Sequence, residues 1–127
     1  MKNKANSDIN EFYLGCANSL QPTDKRLAKF REQRNKQFGF DDTETWNLNY
    51  AISKFMVIRL KKFKELSIAY PATLTPDEWN QILDEMILGF ELFLTFDDLT
   101  LSEQKKAVKK INKSLGLFKK YFWDLWW

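Results

Sequence analysis

The stretch that decides the fold is FDDTETWNLNYAISKFMVIRLKKFKEL, from Phe40 to Leu66. Its acidic opening leads into apolar residues that recur every three or four positions, which is the period of an amphipathic helix. We expect this helix to begin near Asp42 or Thr43. At about 100° per residue, Arg59 falls within the apolar stripe and would need a carboxylate, because a buried, unpaired guanidinium costs several kcal/mol. The other members of this stripe are Leu48, Ile52, Phe55, Phe63 and Leu66.

Two acidic groups could supply that carboxylate. One is the acidic opening of the same stretch, and the other is a pair of carboxylates seven residues apart in the following helix. The pairing could simply fix the register of two helices. Alternatively, the charged centre lines a pocket for a small anionic ligand, since arginine makes bidentate contacts with carboxylate and phosphate. The candidate residues of this polar centre are Arg59, Asp41, Asp42, Glu44, Trp46, Asp84 and Glu91.

Helical patterns also cover the rest of the chain. The segment from Thr75 to Glu78 predicts a capped helix start with proline at the first helical position. The last helix is expected to start at Ser102. One or two short helices are expected before Gly39, the first of them beginning near Ser7. The sequence therefore predicts an all-α fold, a compact bundle of three long helices plus one or two short N-terminal helices. The apolar residues that keep the helical period in the last helix are Ala107, Val108, Ile111, Leu115, Phe118 and Phe122.

Length and composition limit the possible functions. The 127 residues match the usual size of one domain, so we expect a single helical domain over residues 1–127, of which residues 1–22 could be loosely attached. The chain has no histidine and a single cysteine, Cys16, which excludes histidine-based general bases and thiolate metal cages. No cofactor and no metal site are expected.

The sequence also bears on localisation. No segment reaches the roughly 20 continuous apolar residues that span a bilayer, and the first residues lack the apolar core of a signal peptide. We therefore expect a soluble, cytoplasmic protein without a membrane partner.

Three further features carry functional hypotheses. The carboxylates of the polar centre could bind Mg²⁺ in a nucleotide-processing enzyme, although such enzymes usually show acidic pairs one turn apart. Lysines on the second and last helices could follow a nucleic-acid backbone, although the net charge is only +3. The terminal pair Trp126 and Trp127 either folds back onto the bundle or binds a partner, which could also be a second copy of the chain.

Five segments carry a family resemblance: Gly39–Trp46, Arg59–Glu65, Leu74–Trp79, Ile82–Ile87 and Gly116–Trp126. On these segments the chain resembles a group of small proteins encoded by tailed bacteriophages. The resemblance covers roughly residues 39–127 and implies an origin, in the cytoplasm of a bacterial host cell, rather than a mechanism. Small phage accessory proteins often act by binding, so we expect a non-catalytic protein that inhibits or sequesters a host or anti-phage defence component, either a protein or a small anionic ligand such as a nucleotide.

Overall fold

Helices make up the ordered framework of the protein. The computed structural model describes Leu14, Gly15 and residues 19–127, and these residues contain no β-strand. The predicted all-α class and its three long helices are confirmed, while the predicted helix start near Ser7 lies outside the described residues. The α-helices are α1 (Arg26–Lys36), α2 (Leu48–Leu66), α3 (Pro76–Leu94) and α4 (Leu101–Tyr121), and the 3-10 helices are Asp42–Thr45, Phe96–Asp98 and Phe122–Asp124.

The chain divides into two compact units. Unit 1 is Met1–Ile52 and unit 2 is Ser53–Trp127, so the boundary lies within the sequence of α2. The single domain over residues 1–127 stays a prediction. None of the helices in the described part of the chain combines the length and the apolar character that crossing a bilayer requires.

Capping boxes set the beginnings of the two helices that dominate unit 2. The Thr75 hydroxyl accepts a hydrogen bond from the backbone N–H of Glu78, whose carboxylate accepts one from the N–H of Thr75. Thr100 and Glu103 repeat this arrangement at the start of α4. The predicted start of α3 is therefore confirmed, and α4 begins slightly earlier than expected, with Thr100 rather than Ser102 as its cap.

The core of unit 2 is formed mainly by α3. The apolar face of that helix points inward, and its buried side chains extend from Trp79 to Phe90. Residues of α2 and α4 pack against it, and an edge-to-face contact between Trp79 and Tyr121, with centroids 5.5 Å apart, closes one end. The buried members of the cluster are Val57, Leu60, Trp79, Leu83, Met86, Ile87 and Phe90.

Small residues determine which face of α4 lies against α3. Ala107 and Ser114 are the buried residues of α4, and the Ser114 hydroxyl donates to the carbonyl oxygen of Met86 at 2.7 Å. Gly89 lies directly opposite Ser114. This close approach leaves Val108, Leu115 and Phe122 exposed, so their predicted inward position is wrong. Leu117, Phe118 and Tyr121 of α4 are instead partly buried and pack against the core.

The predicted inward stripe of α2 is also wrong. Its members Leu48, Ile52, Phe55 and Leu66 are exposed, and within unit 2 the residues buried instead are Ser53, Val57 and Leu60. The reason is that α2 carries apolar residues on several sides, including the run Met56–Ile58. A period of 3.6 residues then fits more than one face, and the packing partner decides between them.

Candidate functional site

Asp41 is a buried charge of unit 1. Its side chain is 3% exposed, and its Oδ2 accepts a hydrogen bond from Nε of Arg34 at 2.6 Å. Its Oδ1 accepts from the backbone N–H of Thr43 at 2.8 Å and also from the Thr43 hydroxyl. A buried carboxylate–guanidinium pair therefore exists, but its arginine is Arg34 and not Arg59.

The neighbouring Asp42 ties the short 3-10 helix to α1. Its carboxylate accepts a hydrogen bond from Nε2 of Gln33 at 2.8 Å, while its backbone N–H donates to Oε1 of the same glutamine at 3.0 Å. Asp41 caps this 3-10 helix, Asp42–Thr45. The acidic residues expected to start α2 thus start a separate turn, and α2 begins at Leu48.

Glu44 and Trp46 belong to the same region of unit 1. Burial raises the pKa of the Glu44 carboxyl, the negative charge of Asp41 adds to this effect, and Arg34 opposes it. The Trp46 ring meets Phe30 edge to face, with ring centroids 5.4 Å apart. These contacts hold the fold of unit 1 together, and a ligand-binding role for the residues stays a prediction.

Arg59 lies on the surface of α2. Its Nη1 donates to the carbonyl oxygen of Phe55 at 3.4 Å, and its guanidinium carbon lies 3.7 Å from the centroid of the Phe55 ring. Among the described residues, no carboxylate lies within ion-pair distance of this guanidinium. The predicted pairing of Arg59 is therefore wrong, because Arg59 lies on an exposed face of α2, where a guanidinium does not need a carboxylate partner.

The carboxylates of α3 pair with lysines of α2. Asp84 Oδ1 lies 2.7 Å from Nζ of Lys64, and Glu91 Oε1 lies 2.7 Å from Nζ of Lys61. All four side chains are substantially solvent-accessible, so each pair contributes at most about 1 kcal/mol. Asp84 and Glu91, which the sequence named as candidate partners of Arg59, therefore pair with lysine ammonium groups instead. Within the described residues, no three acidic, histidine or cysteine side chains form a group that could hold a metal ion.

Large aromatic side chains are exposed where α4 ends. We call Phe122, Trp123, Trp126 and Trp127 the aromatic terminus; their exposures are 56%, 84%, 70% and 62%. The first two lie at the 3-10 helix that follows α4, and their rings touch edge to face with centroids 6.2 Å apart. Trp126 and Trp127, which the sequence singled out, are thus available to a partner, and Phe122 and Trp123 extend the same feature.

A line of apolar residues runs along α4. We call Leu101, Val108 and Leu115 the α4 stripe; they recur every seven residues and are 79%, 44% and 47% exposed. Beside Val108 lies a depression of about 220 Å³, lined by Phe93, Phe96, Val108, Ile111 and Asn112. The seven-residue spacing was present in the sequence, but the 3.6-residue period assigned Val108 and Leu115 to the core and hid their exposure.

Lysines border the α4 stripe. Lys105 and Lys119 lie four positions after Leu101 and Leu115, and Lys109 follows Val108. All three lysines are exposed. Among the described residues, none of the three forms an ion pair with a carboxylate, in contrast to Lys113, which lies 3.1 Å from Glu85.

Comparisons with known proteins give no relative. No protein-family model, no curated protein and no solved structure matches the chain. The tailed-phage origin therefore stays a prediction, and the functional argument depends on the chain's own geometry.

Proposed function

We propose that this protein acts without catalysis, by binding another protein through the aromatic terminus. The observation that carries the proposal is the concentration of four exposed aromatic side chains within six residues. Soluble monomers seldom leave large apolar groups clustered on the surface without a binding role. Tryptophan is also the residue type most enriched among those that dominate binding energy at interfaces.

The nature of the partner follows the origin that the sequence suggests. In a phage setting the partner is a host or anti-phage defence protein, which the bound protein would inhibit or sequester. The buried polar centre does not support the small-anion version of the hypothesis, because Arg34 and Asp41 satisfy each other. The exposed carboxylates of α3 likewise pair with lysines, which gives the magnesium-enzyme alternative no support.

The proposal is tested with paired variants of the full chain. The protein and its Trp123→Ala/Trp126→Ala variant are used as bait in a bacterial lysate, and any captured protein is then purified and titrated by calorimetry. We expect the double variant to weaken binding at least about tenfold. Phe38→Ala is the matched control, since Phe38 is fully exposed on unit 1. A partner that binds all three proteins equally well would disprove the role of the aromatic terminus.

A second candidate is single-stranded nucleic acid. The observation in its favour is that Lys119 and Lys120 directly precede the exposed Phe122 and Trp123, and aromatic side chains beside lysines stack bases and contact phosphates. A titration with oligothymidine at several salt concentrations decides between the two. Binding that weakens steeply with salt and disappears in Trp123→Ala would favour nucleic acid.

A further inference from the structure

The α4 stripe has the spacing of a helix-pairing surface. Residues seven apart lie almost on one line along a helix, and at 1.5 Å per residue the line from Leu101 to Leu115 is about 21 Å long. The helix face of a partner with the same repeat matches such a line over several turns. An exposed apolar line of this kind is unusual on a helix whose other side is already packed against a core.

The depression lies beside the α4 stripe and adds a concave surface to it. Phe93 of α3, Phe96 of the 3-10 helix that follows, and Ile111 of α4 line the depression beside Val108. A large apolar side chain from a docked helix could enter it, since helix-in-groove recognition places anchor residues at positions i, i+3 or i+4, and i+7. The depression and the stripe belong to unit 2.

Charge selects the kind of helix that fits. Lys105 and Lys119 each lie one turn after a residue of the stripe, are exposed, and have no carboxylate partner among the described residues. Charged residues beside the apolar line determine which helices pair. The lysines beside the α4 stripe therefore favour a helix that carries acidic residues on one flank. In an antiparallel two-fold pair of two copies, the same lysines would face each other, which disfavours self-pairing through the stripe.

We infer that the α4 stripe and the depression beside it form a docking groove for an amphipathic helix of a partner protein, apolar on one face and acidic along one edge. This inference rests on the proposed binding function and specifies a second contact, separate from the aromatic terminus. The partner helix lies along α4 with its apolar face on Val108 and Leu115. Its acidic flank lies against Lys105 and Lys119.

A displayed library of helical peptides tests the groove directly. The full-length protein selects from peptides of three heptads with randomised positions, and the enriched peptides are synthesised, labelled and titrated by fluorescence anisotropy. We expect apolar residues at heptad spacing and Glu or Asp along one flank. Val108→Gln/Leu115→Gln should weaken binding at least about tenfold. Ile68→Gln should not change it, because Ile68 is exposed in unit 2 outside the stripe.

Charge reversal tests the acidic edge. The variant Lys105→Glu/Lys119→Glu should bind the selected peptides more weakly than the wild-type protein does. Its affinity should recover for peptides in which the acidic flank is changed to lysine. Circular dichroism and thermal melting of every variant check that the fold is kept; all five substituted side chains, Ile68, Lys105, Val108, Leu115 and Lys119, are exposed.

Several outcomes would overturn the inference. They are a selection without enrichment, enriched peptides that bind the glutamine variant equally well, and peptides without an acidic flank. Stripe-dependent self-association in sedimentation equilibrium would identify a second copy as the occupant. Stripe-dependent binding to vesicles of phosphatidylcholine and phosphatidylglycerol would identify a membrane surface. If a lysate protein still depends on Trp123 and Trp126 while no peptide binds, the proposed function stands and the groove fails.

Discussion

Ser114 of α4 lies directly over Gly89 of α3. A Cβ atom built at residue 89 would lie 2.1 Å from Cβ of Ser114 and 2.5 Å from its Oγ, so only a hydrogen fits there. The hydroxyl of Ser114 also donates a hydrogen bond to the carbonyl oxygen of Met86 at 2.7 Å. This contact fixes both the distance between the helices and the rotation of α4, and through that rotation it exposes the α4 stripe.

Gly89→Ala should destabilise the protein. An alanine normally stabilises a helix by about 1 kcal/mol relative to glycine, but here its methyl group would force the two helices apart. Overpacking of this kind costs about 1–3 kcal/mol. Because the added methyl group would meet the Cβ of Ser114, we expect a cost near the upper end and a net loss of about 1–2 kcal/mol after the helix-propensity gain, measured by urea unfolding followed by circular dichroism.

Two variants make this prediction specific. Gly116→Ala in α4 has open space around the added Cβ and should stabilise by about 1 kcal/mol. Gly89→Ala combined with Ser114→Gly should recover part of the loss, because the second change makes room for the methyl group. Equal effects of alanine at 89 and at 116 would show that the two helices do not approach closely at Gly89.

The helices themselves were predictable, but the faces they bury were only partly so. Caps and breakers such as Thr75 and Pro76 act locally, so their effect can be read from a few residues. The face of α3 was also predictable because its apolar residues lie on one side. The buried face of α4, by contrast, is decided by the contact of its Ser114 with Gly89 of α3. These residues are 25 positions apart, and their contact leaves no periodic signal in either helix.

Arg34→Met should destabilise the protein much more than Arg59→Met. Removing Arg34 leaves the carboxylate of Asp41 buried without its cation, which typically costs about 3–5 kcal/mol. Removing Arg59 loses only an exposed contact with the Phe55 ring, which contributes about 0.5–1 kcal/mol. Urea unfolding of both variants gives the comparison, and a larger loss for Arg59→Met would restore the pairing that the sequence predicted.

The polar centre shows what sequence reasoning could and could not provide. That a buried arginine would need a carboxylate followed from elementary electrostatics, and Asp41 was one of the candidate carboxylates. The choice of Arg59 depended on the assigned face of α2, and it failed together with that face. Arg34 precedes Asp41 by seven residues across the end of α1, and a turn of that kind carries no pattern from which the contact could be predicted.

Glu44→Gln should change how stability depends on pH. Because the pKa of Glu44 is raised above its ordinary 4.5 by burial and by Asp41, the folded state binds a proton more tightly than the unfolded state. Protonation therefore favours folding, and the wild-type protein should gain stability relative to the glutamine variant as the pH falls from the raised pKa to about 4.5. Urea unfolding of both proteins at several pH values measures the difference, and parallel curves would contradict the assignment.

The capping boxes should respond to acid in the opposite direction. Hydrogen bonds from the backbone N–H groups of Thr75 and Thr100, and then from their side chains, lower the pKa values of Glu78 and Glu103 below their ordinary 4.5. Their contribution is complete above pH 4.5 and is lost as the pH falls through the lowered values. Glu78→Gln/Glu103→Gln keeps an acceptor that suits a capping box but cannot titrate.

As the pH falls below 4.5, the wild-type protein should therefore lose stability relative to this double variant. Relative to Glu44→Gln, by contrast, it should gain stability as the pH falls towards 4.5 from above. The two effects have opposite signs because the charged form of Glu44 destabilises the folded state of unit 1, whereas the charged forms of Glu78 and Glu103 stabilise the folded state of unit 2. A double variant whose acid unfolding coincides with that of the wild-type protein would show that the two glutamates do not accept these hydrogen bonds in solution.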